Sequence, residues 1–254
     1  MLSTSPPEVF GLLSEPLRWR IVRALASSDR RVGELVALVD RPQNVVSYHL
    51  SELRKAGIAT SRRSAADGRD VYYRVDLSRC RDLVAAAGGS LHPALSLVPG
   101  RATAARIPGR PKLLFLCTGN SARSQIAEAL AHHRSDGRVL AASAGSRPKS
   151  LHPNAVRVLA ERGIDISNRT TKPLGRYAGR RFARIITLCD KVREVCPDFP
   201  GAPLSTHWSI PDPASSGPDD EATYPSFVQV ADDIEGRVAL LLADLATASP
   251  KAGR

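Results

Sequence analysis

Five residues separate Cys117 from Arg123, and Ser124 follows at once, in the run Cys117-Thr118-Gly119-Asn120-Ser121-Ala122-Arg123-Ser124. Before it, Lys112-Leu113-Leu114-Phe115-Leu116 is a short apolar run fit for a buried parallel strand. After it, Gln125 to His133 sets Ile126, Ala129 and Leu130 at helical spacing. A loop between a strand and a helix N-terminus aims several backbone N–H groups at one point, and the helix dipole adds positive potential there. A tetrahedral oxyanion fits such a cradle. Arg123 is expected to clamp two of its oxygens bidentately. Cys117, at the floor, is expected to be a thiolate near neutral pH, because the same field lowers its pKa. Ser124 is placed to donate a hydrogen bond to that thiolate. Gly119 is expected to supply backbone angles closed to other residues, and Asn120 to brace the loop through its amide. The chemistry is attack by sulfur on a bound oxyanion.

Two further features lie in the same half. Arg184-Ile185-Ile186-Thr187-Leu188 is a β-like run ending at Cys189, and Cys196 stands seven residues on. Asp212 sits between two prolines in Ile210-Pro211-Asp212-Pro213-Ala214. The histidines form no ligand pattern: His132 and His133 are adjacent and point apart, His92 lies in a Pro/Gly-rich stretch, and His152 and His207 sit near expected turns. No structural metal is expected.

Taken whole, Cys-Thr-Gly-Asn-Ser-Ala-Arg-Ser-Gln between strand and helix resembles the low-molecular-weight tyrosine phosphatase fold, in its arsenate reductase branch, over about residues 112–247. The resemblance implies a three-layer α/β fold with a parallel sheet. It implies that Asp212 is the general acid that protonates the departing oxygen. Phosphatases of the family follow this Asp-Pro with aromatics that grip phosphotyrosine; here Ala214-Ser215-Ser216 follows, which favours a small inorganic substrate. It further implies a relay in which Cys117 attacks arsenate, Cys189 attacks the arsenated sulfur and releases arsenite, and Cys196 carries the disulfide outward to thioredoxin or another thiol system. No tightly bound cofactor is expected. If residues 189–196 formed one helix, its seven steps at ~1.5 Å would part the Cα atoms by ~10 Å. A disulfide needs less than ~7 Å, so the segment must bend or unwind.

The pattern departs from the family in two places. Ala122 stands where many members carry an additional loop cysteine outside the relay. Some members also hold potassium beside the loop. Asn120, Glu128 and Ser143 match those ligands, but Lys172 stands at the family's aspartate. The expectation is that the Lys172 ammonium replaces the ion and pairs with Glu128.

The first part of the chain has a different plan. Helical spacing marks residues 15–25 and 32–39, and a third helix from about Gln43 to Ala56 with Val46, Leu50 and Leu53 inward and Gly57 as its cap. Ile58–Arg63 and Asp70–Asp76 flank the polar turn Ala65-Ala66-Asp67-Gly68, a hairpin signal. Helix-turn-helix followed by a hairpin is a winged helix-turn-helix. Over about residues 5–88 it resembles the ArsR/SmtB family of bacterial repressors, carried by Glu15-Pro16-Leu17-Arg18-Trp19-Arg20-Ile21-Val22-Arg23-Ala24-Leu25 and by residues 44–58. The resemblance implies a homodimer on palindromic double-stranded DNA. Gln43, Asn44, Ser47, Tyr48 and His49 would face the major groove. Arg62, Arg63 and Arg69 on the wing would touch phosphate. Clustered thiols mark the family's arsenite sensors, but Cys80 is the lone cysteine here and reads as a small core hydrophobe.

Composition sets the outer bounds. The 254 residues carry a formal net charge of +11, spread along the chain and densest at Arg101, Arg106 and Arg110. Four cysteines are too few for a disulfide scaffold. There is no apolar run long enough for a membrane span, and Met1–Phe10 lacks a secretory pattern. A reducing cytoplasm is therefore the expected compartment. The division expected is 1–88 for the DNA-binding domain, 89–111 for a Pro/Gly-rich linker and 112–254 for the reductase domain. Two other readings carry the same residues: a tyrosine phosphatase fused to a regulator, and a non-catalytic repressor that senses an oxyanion.

Overall fold

The computed structural model describes residues 7–92, 107, 109–201 and 203–247. The chain folds as two compact units, Met1–Arg101 and Ala102–Arg254.

In the first unit, α1 (Glu8–Leu13) precedes α2 (Pro16–Ser27), which starts on Pro16 with the Glu15 carboxylate accepting from the Arg18 N–H. A two-residue strand β1 (Arg30–Arg31) leads into α3 (Val32–Val39). Asp40 leaves that helix in the left-handed region, φ 49°, and Pro42 caps α4 (Gln43–Lys55). At the far end of α4, Gly57 takes φ 70°, and the Ile58 N–H reaches back to the Leu53 carbonyl, so the helix stops where the sequence placed its cap. Leu17, Ile21, Leu25, Leu35, Val39, Val46, Leu50 and Leu53 close one core.

Strands β2 (Ala59–Arg63) and β3 (Val71–Val75) pair antiparallel, and the sheet order is β1-β3-β2. The hairpin forms, but not by a two-residue Asp67-Gly68 turn. The last ladder pair is Arg63–Val71, and the Ser64 hydroxyl accepts from the N–H groups of Ala66 and Asp67, which widens the turn. The unit closes with α5 (Leu77–Leu91), capped by the Asp76 side chain. This corrects the expected boundary at 88. The Asp76 cap and the buried Ala87 carry the helix through Gly88 and Gly89 to Leu91, with His92 as its end. The expected linker's residues 93–106 and 108 lie outside the described residues.

The second unit is built on β4 (Lys112–Cys117), α6 (Arg123–Arg134), β5 (Leu140–Gly145), α7 (Pro153–Ala160), β6 (Arg184–Thr187), α8 (Asp190–Glu194), β7 (Leu204–His207) and α9 (Asp220–Thr247). All strand pairs are parallel, in the order β5-β4-β6-β7, and helices pack around the sheet. Leu113, Leu114, Phe115 and Leu116 are fully buried, as a central parallel strand requires. Helix α6 is buried from Arg123 to Ala131, between the sheet and α9, where Phe227, Ala231, Ile234 and Val238 meet it. From β4 the chain passes to β5 on one side, then returns to β6 on the other. The crevice at the carboxyl ends of β4 and β6 is thus a topological switch point.

Candidate active site

Cys117 ends β4 and Cys189 follows β6 by two residues, so both thiols reach that crevice, 2% and 4% exposed. Three carbonyls of the loop point outward: Thr118 accepts from the Arg147 N–H, Gly119 from Lys149 and Ser121 from His152, each at 2.9 Å. Peptide C=O and N–H groups point in opposite directions across a trans bond. The N–H groups of Gly119, Asn120 and Ala122 therefore face inward. One of them is caught in the act: the Asn120 N–H donates to Cys117 Sγ at 3.2 Å. The Ser124 hydroxyl lies 3.0 Å from the same sulfur.

Asn120 is the brace, more thoroughly than its sequence suggests. Its amide donates to Ser124 and Ser143 at 2.8 Å each, while Oδ1 accepts from the Lys172 backbone N–H at 2.7 Å and from Gln125 at 3.3 Å. It is also Asn120, at φ 49°, and not Gly119, that takes the left-handed backbone. Asn tolerates this region better than most residues. At Gly119 a Cβ would stand 3.0 Å from Ser121 Oγ, a close approach to a hydroxyl that can turn aside.

Arg123 opens α6 and is 7% exposed. Its two terminal nitrogens meet the Ile210 carbonyl at 3.0 Å and Asp212 Oδ2 at 2.9 Å. Asp212 is half-exposed and caps a short 3-10 turn, Pro213–Ser215. Thus the expected clamp and the expected acid are in contact across the mouth of the cradle. On the opposite wall, Thr118 Oγ1 lies 3.3 Å from Cys189 Sγ. Cys196 lies beyond the end of α8, half-buried against the core. Burial, then the Asp198 charge, pushes its thiol pKa up.

Below the loop, Glu128 collects three groups. Its Oε2 accepts from Ser143 and lies 2.8 Å from Lys172 Nζ; its Oε1 lies 3.4 Å from Arg169. Lys172 is half-buried here, its side chain 15% exposed.

A family model described as Low molecular weight phosphotyrosine protein phosphatase matches residues 112–251. The chain belongs to this family. Within it, the arsenate reductase of Halalkalibacterium halodurans is 36% identical over 126 residues, 50% of this chain and 91% of the relative. That of Brevibacillus brevis is 37% identical over 126 residues, 50% of this chain and 90% of the relative. A solved structure described as an arsenate reductase in oxidized state is 27% identical, with a TM-score of 0.47 over 53% of this chain and 98% of that one. In the first unit, a model of the bacterial regulatory protein arsR family matches residues 15–61.

In this phosphatase-family unit, sequence reasoning missed Gly145. A Cβ there would stand 2.6 Å from the Thr118 carbonyl and 2.8 Å from the Asn120 nitrogen, so the loop can lie on β5 only because this residue has no side chain. The Ser-Ala-Gly ending of β5 was the available signal. Gln125 and Arg169 were missed too, and their polar partners only became visible in three dimensions.

The expected DNA-contacting residues divide. Gln43, Asn44, Ser47 and Tyr48 lie exposed along the start of α4, but His49 does not. Its side chain is 13% exposed and its Nδ1 lies 3.6 Å from Glu15. The reason is the helical period, which puts His49 beside Val46, Leu50 and Leu53 on the buried face. On the wing, Arg63 and Arg69 are exposed and Arg62 is half-buried. Arg31 pairs with Asp70 at 2.6 Å and ties the wing to the body; the hydrogen bond from Asp70 raises the Arg31 pKa. Cys80 is half-buried against the first core, and burial raises its pKa.

Proposed function

We propose that the chain is an arsenate reductase joined to a DNA-binding regulator of arsenic resistance. The observation that carries the enzymatic half is a second buried thiol at the mouth of the cradle, with Cys189 in contact with the residue next to Cys117. A phosphatase hydrolyses its cysteinyl intermediate with water and has no use for such a thiol. The relatives described as arsenate reductases support the same reading.

In this reading arsenate enters the inward N–H groups of Gly119, Asn120 and Ala122 and takes Arg123 over from Asp212. The Cys117 sulfur attacks arsenic, and Asp212 protonates the oxygen that leaves as water. The Cys189 sulfur then attacks Cys117 Sγ. The sulfur–arsenic bond breaks and its electron pair stays on arsenic, which departs as arsenite, leaving a Cys117–Cys189 disulfide. Cys196 attacks Cys189, frees Cys117, and leaves a Cys189–Cys196 disulfide that a two-electron thiol donor reduces. Thioredoxin is the donor proposed. Thr118 aims Cys189, and Ser124 holds the Cys117 sulfur. The Lys172 ammonium takes the place of a potassium ion at Glu128, Ser143 and Asn120.

The regulatory half rests on the arsR-type helix-turn-helix. We assign Gln43, Asn44, Ser47 and Tyr48 to base edges and Arg62, Arg63 and Arg69 to phosphates of duplex DNA, bound by a homodimer of this unit. Coupled oxidation of NADPH through thioredoxin and its reductase tests the enzymatic half. Arsenate-dependent oxidation with arsenite as product is expected. Aryl phosphate hydrolysis without arsenite would turn the assignment to a phosphatase.

A further inference from the structure

Next to Cys189 lies a buried polar cluster that the chemistry above leaves unused. Asp190, the first residue of α8, is 1% exposed. Its Oδ1 accepts from Ser209 Oγ at 2.7 Å and lies 3.1 Å from His207 Nε2. The other ring nitrogen, Nδ1, lies 2.8 Å from Thr187 Oγ1. Thr187 and His207 face each other at the ends of β6 and β7, and the Trp208 N–H donates to the Thr187 carbonyl. The carboxylate is therefore tied to two adjacent strand ends. His207, expected near a turn, is a strand residue with 3% exposure.

Beyond Asp190 the helix is barely more than one turn long. Helix α8 has five residues, the Arg193 N–H reaches the Cys189 carbonyl only at 3.3 Å, and Val192 is the next buried side chain before Phe199. So short a helix has little stability of its own.

We propose that Asp190, held by His207 and Ser209, is the fixed end of the moving segment and the positioning residue for Cys189. The proposal rests on the relay reading above. As residues 191–196 unwind to carry Cys196 toward Cys189, Asp190 stays clamped and Cys189 stays against Thr118. A buried carboxylate keeps its hydrogen-bond partners because leaving them unmade is costly. The motion is thereby confined to residues after Asp190. Without the clamp, the 189–190 backbone moves with the segment, and the attack of Cys189 on Cys117 loses its aim. Misplacement of reacting groups by about 1 Å costs rate on the order of a hundredfold.

The test follows formation of the Cys117–Cys189 disulfide by mass spectrometry after mixing the reduced full chain with arsenate. A Cys196→Ala background lets this first disulfide accumulate. Asp190→Ala is expected to slow its formation by about tenfold or more. Asp190→Asn, which keeps an acceptor for Ser209 and His207, is expected to restore it to within about threefold. Alkylation of Cys117 by iodoacetamide, and its protection by arsenate, should stay at the background level in both. Disulfide formation at the background rate in Asp190→Ala overturns the proposal. A loss of Cys117 alkylation and protection in step with the disulfide marks general damage, and Ser209→Ala then decides. Removing Asp190 strips His207 and Ser209 of their shared partner, so Asp190→Ala risks the fold. Ser209→Ala leaves the Asp190–His207 pair intact and serves in its place: slowing by about threefold supports the clamp, and an unchanged rate overturns it. If the chain without a substitution at Asp190 forms no Cys117–Cys189 disulfide with arsenate, the relay itself fails and the clamp falls with it.

Discussion

Arg123 has two demands on one guanidinium. It holds Asp212 and the Ile210 carbonyl, and in the proposed reaction the same fork turns to a bound oxyanion. A lysine keeps the charge but not the planar pair of donors. Arg123→Lys is therefore expected to lose one charge-assisted hydrogen bond, ~1.5–3 kcal/mol, or about 10–100-fold in kcat/KM for arsenate; steady-state kinetics check this. Lys172 makes a second prediction at the same scale. Its ammonium already sits on Glu128, so the native rate should be alike in potassium and sodium. Lys172→Ala should lower the melting temperature and make arsenate turnover respond to potassium. A native enzyme strongly activated by potassium over sodium contradicts the replacement. Cys196 makes a third. Its pKa is raised by burial and by Asp198, and only the thiolate attacks. Transfer of the disulfide from Cys117–Cys189 to Cys189–Cys196 should rise about tenfold per pH unit through neutrality and level off only above the ordinary thiol range. A rate flat from neutral pH upward would show a thiolate already formed.

At the scale of elements, the loop is a cradle because of what it lies on. Gly145 at the end of β5 sets the contact: a Cβ would press on the Thr118 carbonyl and the Asn120 nitrogen. Gly145→Ala should cost about 1–3 kcal/mol of stability and weaken arsenate binding, seen as a lower melting temperature and a raised KM. This contact also marks how far the sequence was legible. The strand-loop-helix order and the inner face of α4 followed from period and motif. So did the placing of Cys117, Arg123 and Ser124 on one loop, because they are neighbours in the chain. Gly145, Arg169 and the Asp190–His207 pair depend on which strands lie side by side, and a linear pattern does not record that. Local rules also misassigned three positions. Asn120 took the strained backbone given to Gly119, His49 turned inward by helical period, and α5 ran through Gly88-Gly89 because its cap and packing outweighed glycine's weak preference.

At the scale of the whole molecule, one chain joins an arsR-type helix-turn-helix to a phosphatase-family unit for which arsenate reduction is proposed. The charge of +11 belongs to neither alone. Duplex binding by the first unit should fall linearly with the logarithm of salt concentration. Alanine at Arg62, Arg63 and Arg69 should reduce that slope while leaving arsenate turnover unchanged, as gel shifts across a salt series would show. In the proposed reaction of the second unit, Cys117 attacks arsenate and Cys189 then takes over the Cys117 sulfur to release arsenite. The most direct measurement is arsenite production by Cys189→Ala with thioredoxin, thioredoxin reductase and NADPH. Catalytic turnover should stop while arsenate still protects Cys117 from alkylation. Turnover at the native rate in Cys189→Ala would contradict the proposed reaction.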